Sequence, residues 1–170
     1  TPAREHVVRR RAQRGDNDLL TADDVHSSIT ADDTKGFRDN PPKMAQRKQR
    51  IRDTIRNTAQ TYGYQPLETP VIESERILTS KFTGGEEILK EMYTLTDNGD
   101  RRLGLRYDLT VPFARFIAEH PELKQPFKRY QSGPVFRDGP IKQGRYREFE
   151  QFDLDIVGSQ SRLYDAELIT

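Results

Sequence analysis

The stretch GRYREFEQFDLDIVG places an ordered row of polar side chains on one face of a predicted strand. Side chains alternate across a strand, so every second residue shares a face. The row runs from cations through an aromatic ring and an amide to carboxylates: Arg145, Arg147, Phe149, Gln151, Asp153 and Asp155. Neighbours on one face are about 7 Å apart, so the row spans about 33 Å. This order predicts a groove for an anion at one end and a cationic or hydrogen-bond-donating group at the other.

Arginines also flank the loop that precedes this row. Arg137, Arg145 and Arg147 surround residues 138–143, and Lys142 lies inside the loop. The guanidinium group is a planar fork that matches phosphate oxygens, so the cluster indicates a polyphosphate site. A solvated turn is the simpler explanation for Lys142, but not for the arginines, which are predicted to lie on the strands. A wet sheet face is common, so alternation alone does not establish a site.

The sequence RYDLT offers a second polar group at the end of a predicted strand. Arg106, Asp108 and Thr110 share one face there. A carboxylate and a hydroxyl about 7 Å apart could hold an ammonium group and a second polar group. The alternative is a helix N-cap, in which Asp or Thr accepts from the first turn. Taken alone, the pattern favours the cap.

The composition excludes several other kinds of site. The chain has no cysteine, which excludes thiolate metal sites and cysteine nucleophiles. Its three histidines have no ligand-like spacing, so no metal site built by protein ligands is predicted. Glycine-rich nucleotide loops and serine–histidine pairings are not evident. Phosphate chemistry would therefore rest on arginine electrostatics and a divalent ion.

Charge and hydropathy set the remaining limits. The 28 basic and 27 acidic residues balance, so net charge indicates no partner. Residues 43–56 are strongly basic, but a solvated helix face explains them more simply than a nucleic-acid surface does. No apolar run approaches the ~20 residues that span a bilayer, and no signal peptide is recognisable. We therefore predict a soluble, cytoplasmic protein with no membrane partner.

The elements that would position these groups follow from periodicity. Residues 1–34 are polar and are predicted to form a partly disordered extension, and folding is predicted to begin at residue 35. A basic helix with one apolar stripe is predicted from an Asn40 N-cap to Gly63. The stripe consists of Met44, Ile51, Ile55, Ala59 and Tyr62.

The rest of the chain is predicted to contain strands and two further helices. Two prolines confine residues 64–73 to a sheet edge, an irregular strand or an interface. A glycine turn at Gly84 and Gly85 precedes a hairpin, a helix and two long strands. These elements are predicted at 92–96, 102–109, 110–119, 127–137 and 144–158, with a last helix from about 161. The pattern predicts an α+β fold, an antiparallel β-sheet flanked by helices.

Several stretches resemble class II aminoacyl-tRNA synthetases. GYQPLETP resembles motif 1, with Pro70 as its characteristic proline. FKRYQSGPVFRDGPIKQGRYREFEQFDLDIVG resembles motif 2 as it occurs in histidyl-tRNA synthetases, and LRYDLTVPFARFIA resembles the segment between the motifs. Motif 1 alone is a weak signal, whereas RYDLTVPFAR with GRYREF at this spacing is a strong one. The resemblance covers about 35–170.

The resemblance implies a class II catalytic core that acts as a homodimer through the motif 1 region. Members of this family activate histidine with ATP and Mg²⁺, which gives histidyl-adenylate and pyrophosphate, and then transfer histidine to tRNA(His). They also carry motif 3 and an anticodon-binding domain downstream. Because this chain lacks those segments, it is expected to be the N-terminal part of the catalytic domain, with weak or no activity alone.

For ATP, the resemblance implies three residues. Arg137, the motif 2 arginine, would be catalytic and would hold the α-phosphate and the substrate carboxylate. Arg145 would meet the outer phosphates. Phe149 would stack on adenine.

For histidine, the resemblance implies four more. Asp108 would bind the α-amino group, with Thr110 beside it. Gln151 would contact the bound amino acid, and Asp155 would lie near its imidazole.

Non-catalytic relatives remain the main alternative. One kind is a regulatory subunit of ATP phosphoribosyltransferase, and another is the synthetase-like domain of a stress-response kinase, which senses uncharged tRNA. Retention of the arginine, aromatic, amide and carboxylate row favours the enzyme. A generic antiparallel domain that binds another ligand is a third possibility.

Overall fold

The computed structural model describes residues 34–80 and 89–169. The chain divides into two units, Thr1–Thr34 and Lys35–Thr170, and every element described below belongs to the second. The predicted extension lies outside the described residues except for Thr34, and so does the glycine turn predicted at Gly84 and Gly85. The assignment of an extension before a folded domain therefore stays a prediction.

Two three-stranded sheets form the frame of the described part. In chain order the elements are α1 (Pro42–Thr61), β1 (Gln65–Pro66), β2 (Ile72–Ser74), α2 (Glu75–Leu78), β3 (Thr94–Thr96), β4 (Arg102–Leu105), α3 (Thr110–Glu119), β5 (Phe127–Phe136), β6 (Glu148–Val157) and α4 (Leu163–Ile169). The sheets have the strand orders β1-β5-β6 and β2-β4-β3. All pairs are antiparallel except β1 with β5, which is parallel. The predicted α+β fold with helices on antiparallel strands is confirmed.

One face of the long β5–β6 ribbon packs against the end of α1. Ala59, Tyr64 and Tyr130 form the buried cluster there. Partly buried apolar residues of β6 pack against it: Phe152, Leu154 and Ile156. Complete burial of side chains of this size contributes about 1.5–3 kcal/mol each, so their partial burial contributes less. Because side chains alternate, this packing commits the intervening residues of β5 and β6 to the other face.

The second sheet is joined to α2 and α3 by a smaller core. Leu78, Tyr107 and Val111 are its buried members, and the Tyr107 hydroxyl donates to the Leu78 carbonyl at 2.8 Å. Gly104 on β4 is required by the closeness of this packing, since a Cβ there would lie 2.8 Å from Leu78 Cδ1. This core fixes the turn between β4 and α3, where RYDLT lies.

The predicted extents of two strands were wrong. β4 ends at Leu105, because the next backbone carbonyl, that of Arg106, accepts from the Phe136 N–H of β5 at 3.0 Å. The Arg106 side chain donates to the carbonyls of Pro134 and Thr69 at 2.9 and 2.8 Å. β6 begins only at Glu148, because the backbone N–H of Arg147 donates instead to the Gly36 carbonyl at 2.9 Å.

The arginines predicted to lie on the strands therefore lie outside them. Arg137 follows the end of β5, and Arg145 and Arg147 precede β6. The polar row on the strand itself starts at Phe149. The cationic end of the groove is thus carried by a loop, and only the aromatic, amide and carboxylate groups are carried by the sheet.

Helix α1 also differs from the prediction at its start. Pro41, and not Asn40, is the N-cap, and its carbonyl accepts from the N–H groups of Met44 and Ala45. The helix end was predicted correctly, with Gly63 following at a φ of +79°. Of the apolar stripe, Ala59 is buried, whereas the other four members are exposed. Within the described residues, no helix combines the length and hydropathy needed to cross a membrane.

Candidate functional site

The face of the β5–β6 ribbon that points away from α1, called the site face below, carries the polar residues. Cross-strand register pairs Arg129 with Asp155 and Gln131 with Asp153. Further along, Gly133 pairs with Gln151. The predicted face from Phe149 to Asp155 is therefore formed, and β5 adds an arginine and a glutamine to it.

Arg129 is a site residue that the sequence did not single out. Its side chain is 0% exposed. Its Nη2 lies 2.5 Å from Asp155 Oδ2 and donates to the Leu109 carbonyl at 3.2 Å. Its guanidinium carbon lies 4.3 Å from the centre of the Phe113 ring, a cation–π distance. An arginine within a strand usually faces solvent, so the burial of Arg129 could not be predicted from its local sequence.

Asp108 lies one residue before Leu109, the N-cap of α3, and its side chain caps the first turn of the helix while it also faces the site. Its Oδ1 accepts from the Val111 N–H at 3.0 Å, as the cap alternative predicted. Burial raises the pKa of Asp108, while the helix N–H groups, Arg137 and Arg129 oppose that rise. The cap and the site are therefore compatible, because one carboxylate serves the helix and lies in the field of both arginines. Thr110 is the first residue of α3 and is exposed.

The carboxylate end of the face concentrates negative charge around Arg129. Burial raises the pKa of Asp153, and the neighbouring Asp155 and Asp108 raise it further. Gln151 has a buried Oε1 that accepts no hydrogen bond from the described residues. A buried amide oxygen without a donor is costly, and a ligand N–H would satisfy it. This end of the site is suited to a ligand with positive charge and N–H donors.

Arg137 connects the two ends of the site. Its Nε donates to the Tyr107 carbonyl at 3.1 Å, and its guanidinium carbon lies 5.1 Å from the centre of the Phe149 ring. Within 34–80 and 89–169, its two terminal nitrogens make no hydrogen bond or ion pair. The backbone thus holds one edge of the guanidinium and leaves its donor fork for an anion.

The other two arginines are held by carboxylates near the surface. Arg145 Nη2 donates to both carboxylate oxygens of Glu91, at 2.8 and 2.9 Å. Arg147 Nη2 lies 2.9 Å from Asp138 Oδ1. The loop positions these charges through the Asp138 N–H, which donates to the Glu91 carbonyl at 2.7 Å. These cations lie in the loop that was predicted to bind polyphosphate.

A protein-built metal centre is not formed by the part of the chain that the structure describes. No group of three or more His, Cys, Asp or Glu side chains in this part could enclose an ion. A divalent ion at this site would need most of its oxygen ligands from a bound ligand, such as the phosphates that Mg²⁺ commonly accompanies.

Comparison with known proteins shows similarity to histidyl-tRNA synthetases over most of the chain. A family model described as histidyl-tRNA synthetase matches residues 36–170. Histidine–tRNA ligase 1 of Bacillus cereus is 52% identical over 135 residues, which cover 79% of this chain and 32% of that protein. This chain therefore spans about a third of the length of the curated relatives it matches.

Solved structures give the same relationship in three dimensions. A histidyl-tRNA synthetase from a Nostoc species is 37% identical with a TM-score of 0.69, over 81% of this chain and 32% of that one. A Bacillus halodurans protein described as an ATP phosphoribosyltransferase regulatory subunit/histidyl-tRNA synthetase is 26% identical with a TM-score of 0.71, over 83% and 36%.

Proposed function

The chain belongs to the histidyl-tRNA synthetase family, and from this premise we propose that the full-length protein is a histidine–tRNA ligase. It would activate histidine with ATP, releasing pyrophosphate, and transfer the histidyl group to tRNA(His). The observation that carries the proposal is a single site face with the guanidinium fork of Arg137 toward one end and partly buried carboxylates at the other. This chain would supply one wall of that site.

Arg137 is proposed as the catalytic arginine. Attack of the histidine carboxylate on the α-phosphate brings two anions together, and a fixed guanidinium lowers that cost. The backbone-held fork of Arg137 supports this role, because its terminal nitrogens are available in the described structure. Arg145 would contact the outer phosphates, and Phe149 would stack on adenine beside Arg137.

The carboxylate end is proposed to bind histidine. Asp108 would accept the α-ammonium group, with Thr110 beside it at the start of α3. The unpaired Oε1 of Gln151 and the carboxylate of Asp155 are acceptors suited to ammonium and imidazole N–H groups. Mg²⁺, bound mainly by the ATP phosphates, would neutralise phosphate charge.

The proposed assembly is a cytoplasmic homodimer through the motif 1 region. The exposed apolar side chains of α1 and of its C-cap residue support this proposal, since an apolar stripe that the described residues leave exposed favours a protein interface. They are Met44, Ile51, Ile55 and Tyr62.

Histidine-dependent exchange of pyrophosphate into ATP by the full-length protein tests the activity. We expect exchange above background with histidine and none with other amino acids. Arg137→Ala should reduce it to near background, a loss of about 10²- to 10³-fold, as for other groups that stabilise charge in a transition state. Retained exchange in Arg137→Ala would mean that the phosphate assignment is wrong.

The regulatory-subunit alternative has one supporting observation. The Bacillus halodurans structure, whose description includes that role, has a TM-score of 0.71 to this chain. A folded full-length protein that gives no exchange, but that changes the activity of an ATP phosphoribosyltransferase, would favour this alternative.

A further inference from the structure

Arg129 carries its charge at a fully buried position, where removal from water raises the free energy of a charged group. A guanidinium removed from water must be compensated by partners at close range. Burial lowers the pKa of Arg129, and the nearby Asp155, Asp153 and Asp108 act to raise it. An apolar side chain would fill the same space in a strand without this cost, so the charge itself calls for an explanation.

The partners of Arg129 come from separate elements of the site wall. Asp155 lies opposite it on β6, in register. The Leu109 carbonyl lies in the turn directly after Asp108, and the Phe113 ring lies on α3. On its own strand, Gln131 accepts from Nη1 at 3.3 Å. The Arg129 guanidinium therefore connects Asp155 on the sheet to the turn that carries Asp108.

The charges around Arg129 are unequal in number. Three carboxylates lie within its electrostatic reach: Asp108, Asp153 and Asp155. From the turn side, Arg137 is the other cation that acts on Asp108. Burial of unbalanced carboxylates favours their protonation, which would remove the charge that attracts an ammonium group.

We propose that Arg129 is a positioning residue for the amino acid end of the site, fixing Asp155 and the Asp108 turn so that both carboxylates face the substrate. This role rests on the proposed function, because it assumes that histidine binds there. Arg129 acts through its neighbours, since the ribbon and α3 enclose it completely.

Arg129→Met in the full-length protein tests the role. The side chain keeps a similar length and loses the charge. We expect the KM for histidine in the exchange reaction to rise about tenfold or more, because Asp155 and the turn after Asp108 lose the charged hydrogen-bond partner that fixes them. The KM for ATP should change far less.

Arg106→Met is the matched control. Arg106 is also buried, at 3% exposed, but its guanidinium donates to the backbone carbonyls of Pro134 and Thr69. Both variants lose a buried guanidinium, so both should lower the melting temperature. Arg106→Met should leave the ratio of the two KM values unchanged.

The pH profile separates positioning from general destabilisation. Arg129 lowers the pKa of both Asp108 and Asp153, so its loss raises both. The histidine KM of Arg129→Met, divided by that of the unaltered protein, should therefore be largest at low pH and fall as pH rises. Arg129→Lys keeps the charge and should restore most of the pH profile, while the lost fork leaves the histidine KM raised severalfold.

The outcomes distinguish the two proposals. No exchange by the folded, unaltered protein overturns the proposed function. Exchange with an unchanged histidine KM in Arg129→Met, or the same KM ratio in Arg129→Met and Arg106→Met, overturns the role of Arg129 alone. If Arg129→Met does not fold, Arg129→Lys decides, and an unchanged histidine KM in that variant overturns the role.

Discussion

The two ends of the site face hold their arginines in opposite ways. At the carboxylate end, Arg129 is 0% exposed and is fixed by groups from β6, α3 and its own strand. At the proposed phosphate end, Arg145 is 48% exposed and is held by the Glu91 carboxylate on a loop. The pair at Arg129 is rigid, because separating it would leave a buried charge without water or a partner. The exposed pair at Arg145 can exchange the Glu91 carboxylate for another anion.

The energies of the two kinds of pair explain why each suits its place. Removing one partner of a buried ion pair costs about 3–5 kcal/mol, whereas an exposed pair contributes about 0–1 kcal/mol. A small substrate with few atoms gains most from a preorganised pocket. A triphosphate brings several charges of its own and can displace a surface carboxylate at little cost.

The largest expected effect tests the buried end. Asp108→Asn keeps a side-chain cap on the first turn of α3, since an Asn oxygen accepts from a helix N–H as well as an Asp oxygen does, but removes the negative charge. We expect kcat/KM for histidine in the exchange reaction to fall about 30- to several-thousand-fold, the equivalent of about 2–5 kcal/mol for truncating a buried charge pair. Steady-state exchange at varied histidine measures this.

Retained stability is the control for Asp108→Asn. The melting temperature should stay within a few degrees of that of the unaltered protein, because the cap persists and burial disfavours the charged carboxyl. A kcat/KM within twofold of the original would contradict the proposed contrast between the two ends of the site. It would mean that Asp108 serves α3 and has no role in binding the substrate.

Local signals were enough to predict the elements but not all of their ends. The start and end of α3 were predicted at residues 110 and 119, because its apolar spacing and the following His120–Pro121 are local features. The start of β6 was misplaced because the backbone partner of Arg147 is Gly36, far away in the chain. A sequence pattern cannot show which distant carbonyl accepts the hydrogen bond from a given backbone N–H.

Arg129 was missed for a related reason. Its counter-ion Asp155 lies opposite it only because of the β5–β6 register, and the register depends on the length of the loop between the strands. The motif-like residues Arg137, Phe149 and Gln151 were found because they lie in one recognisable stretch. The neighbours that hold Arg137 and Arg145, which are Tyr107 and Glu91, come from segments whose proximity is tertiary.

A smaller effect is expected at the exposed end. Arg145→Ala should raise the KM for ATP about 10- to 100-fold, as expected for loss of a hydrogen bond to a charged group worth about 1.5–3 kcal/mol. The histidine KM and the melting temperature should change little, because the side chain is half exposed. The difference between variant and original should shrink at high salt, since exposed charges are screened. A larger change in the histidine KM than in the ATP KM would contradict the division into two ends.

The smallest effect is expected at the partner of Arg145. If the Glu91 carboxylate occupies the guanidinium until phosphate displaces it, Glu91→Gln should lower the KM for ATP about two- to fivefold, the equivalent of an exposed pair of about 0–1 kcal/mol. Glu75→Gln is the matched control, because Glu75 holds Arg102 in a similar exposed pair away from the site. Its ATP KM should not change. A rise in the ATP KM of Glu91→Gln would show instead that Glu91 orients Arg145 for phosphate. The exposed end would then be preorganised like the buried one, and the contrast between them would lie in burial alone.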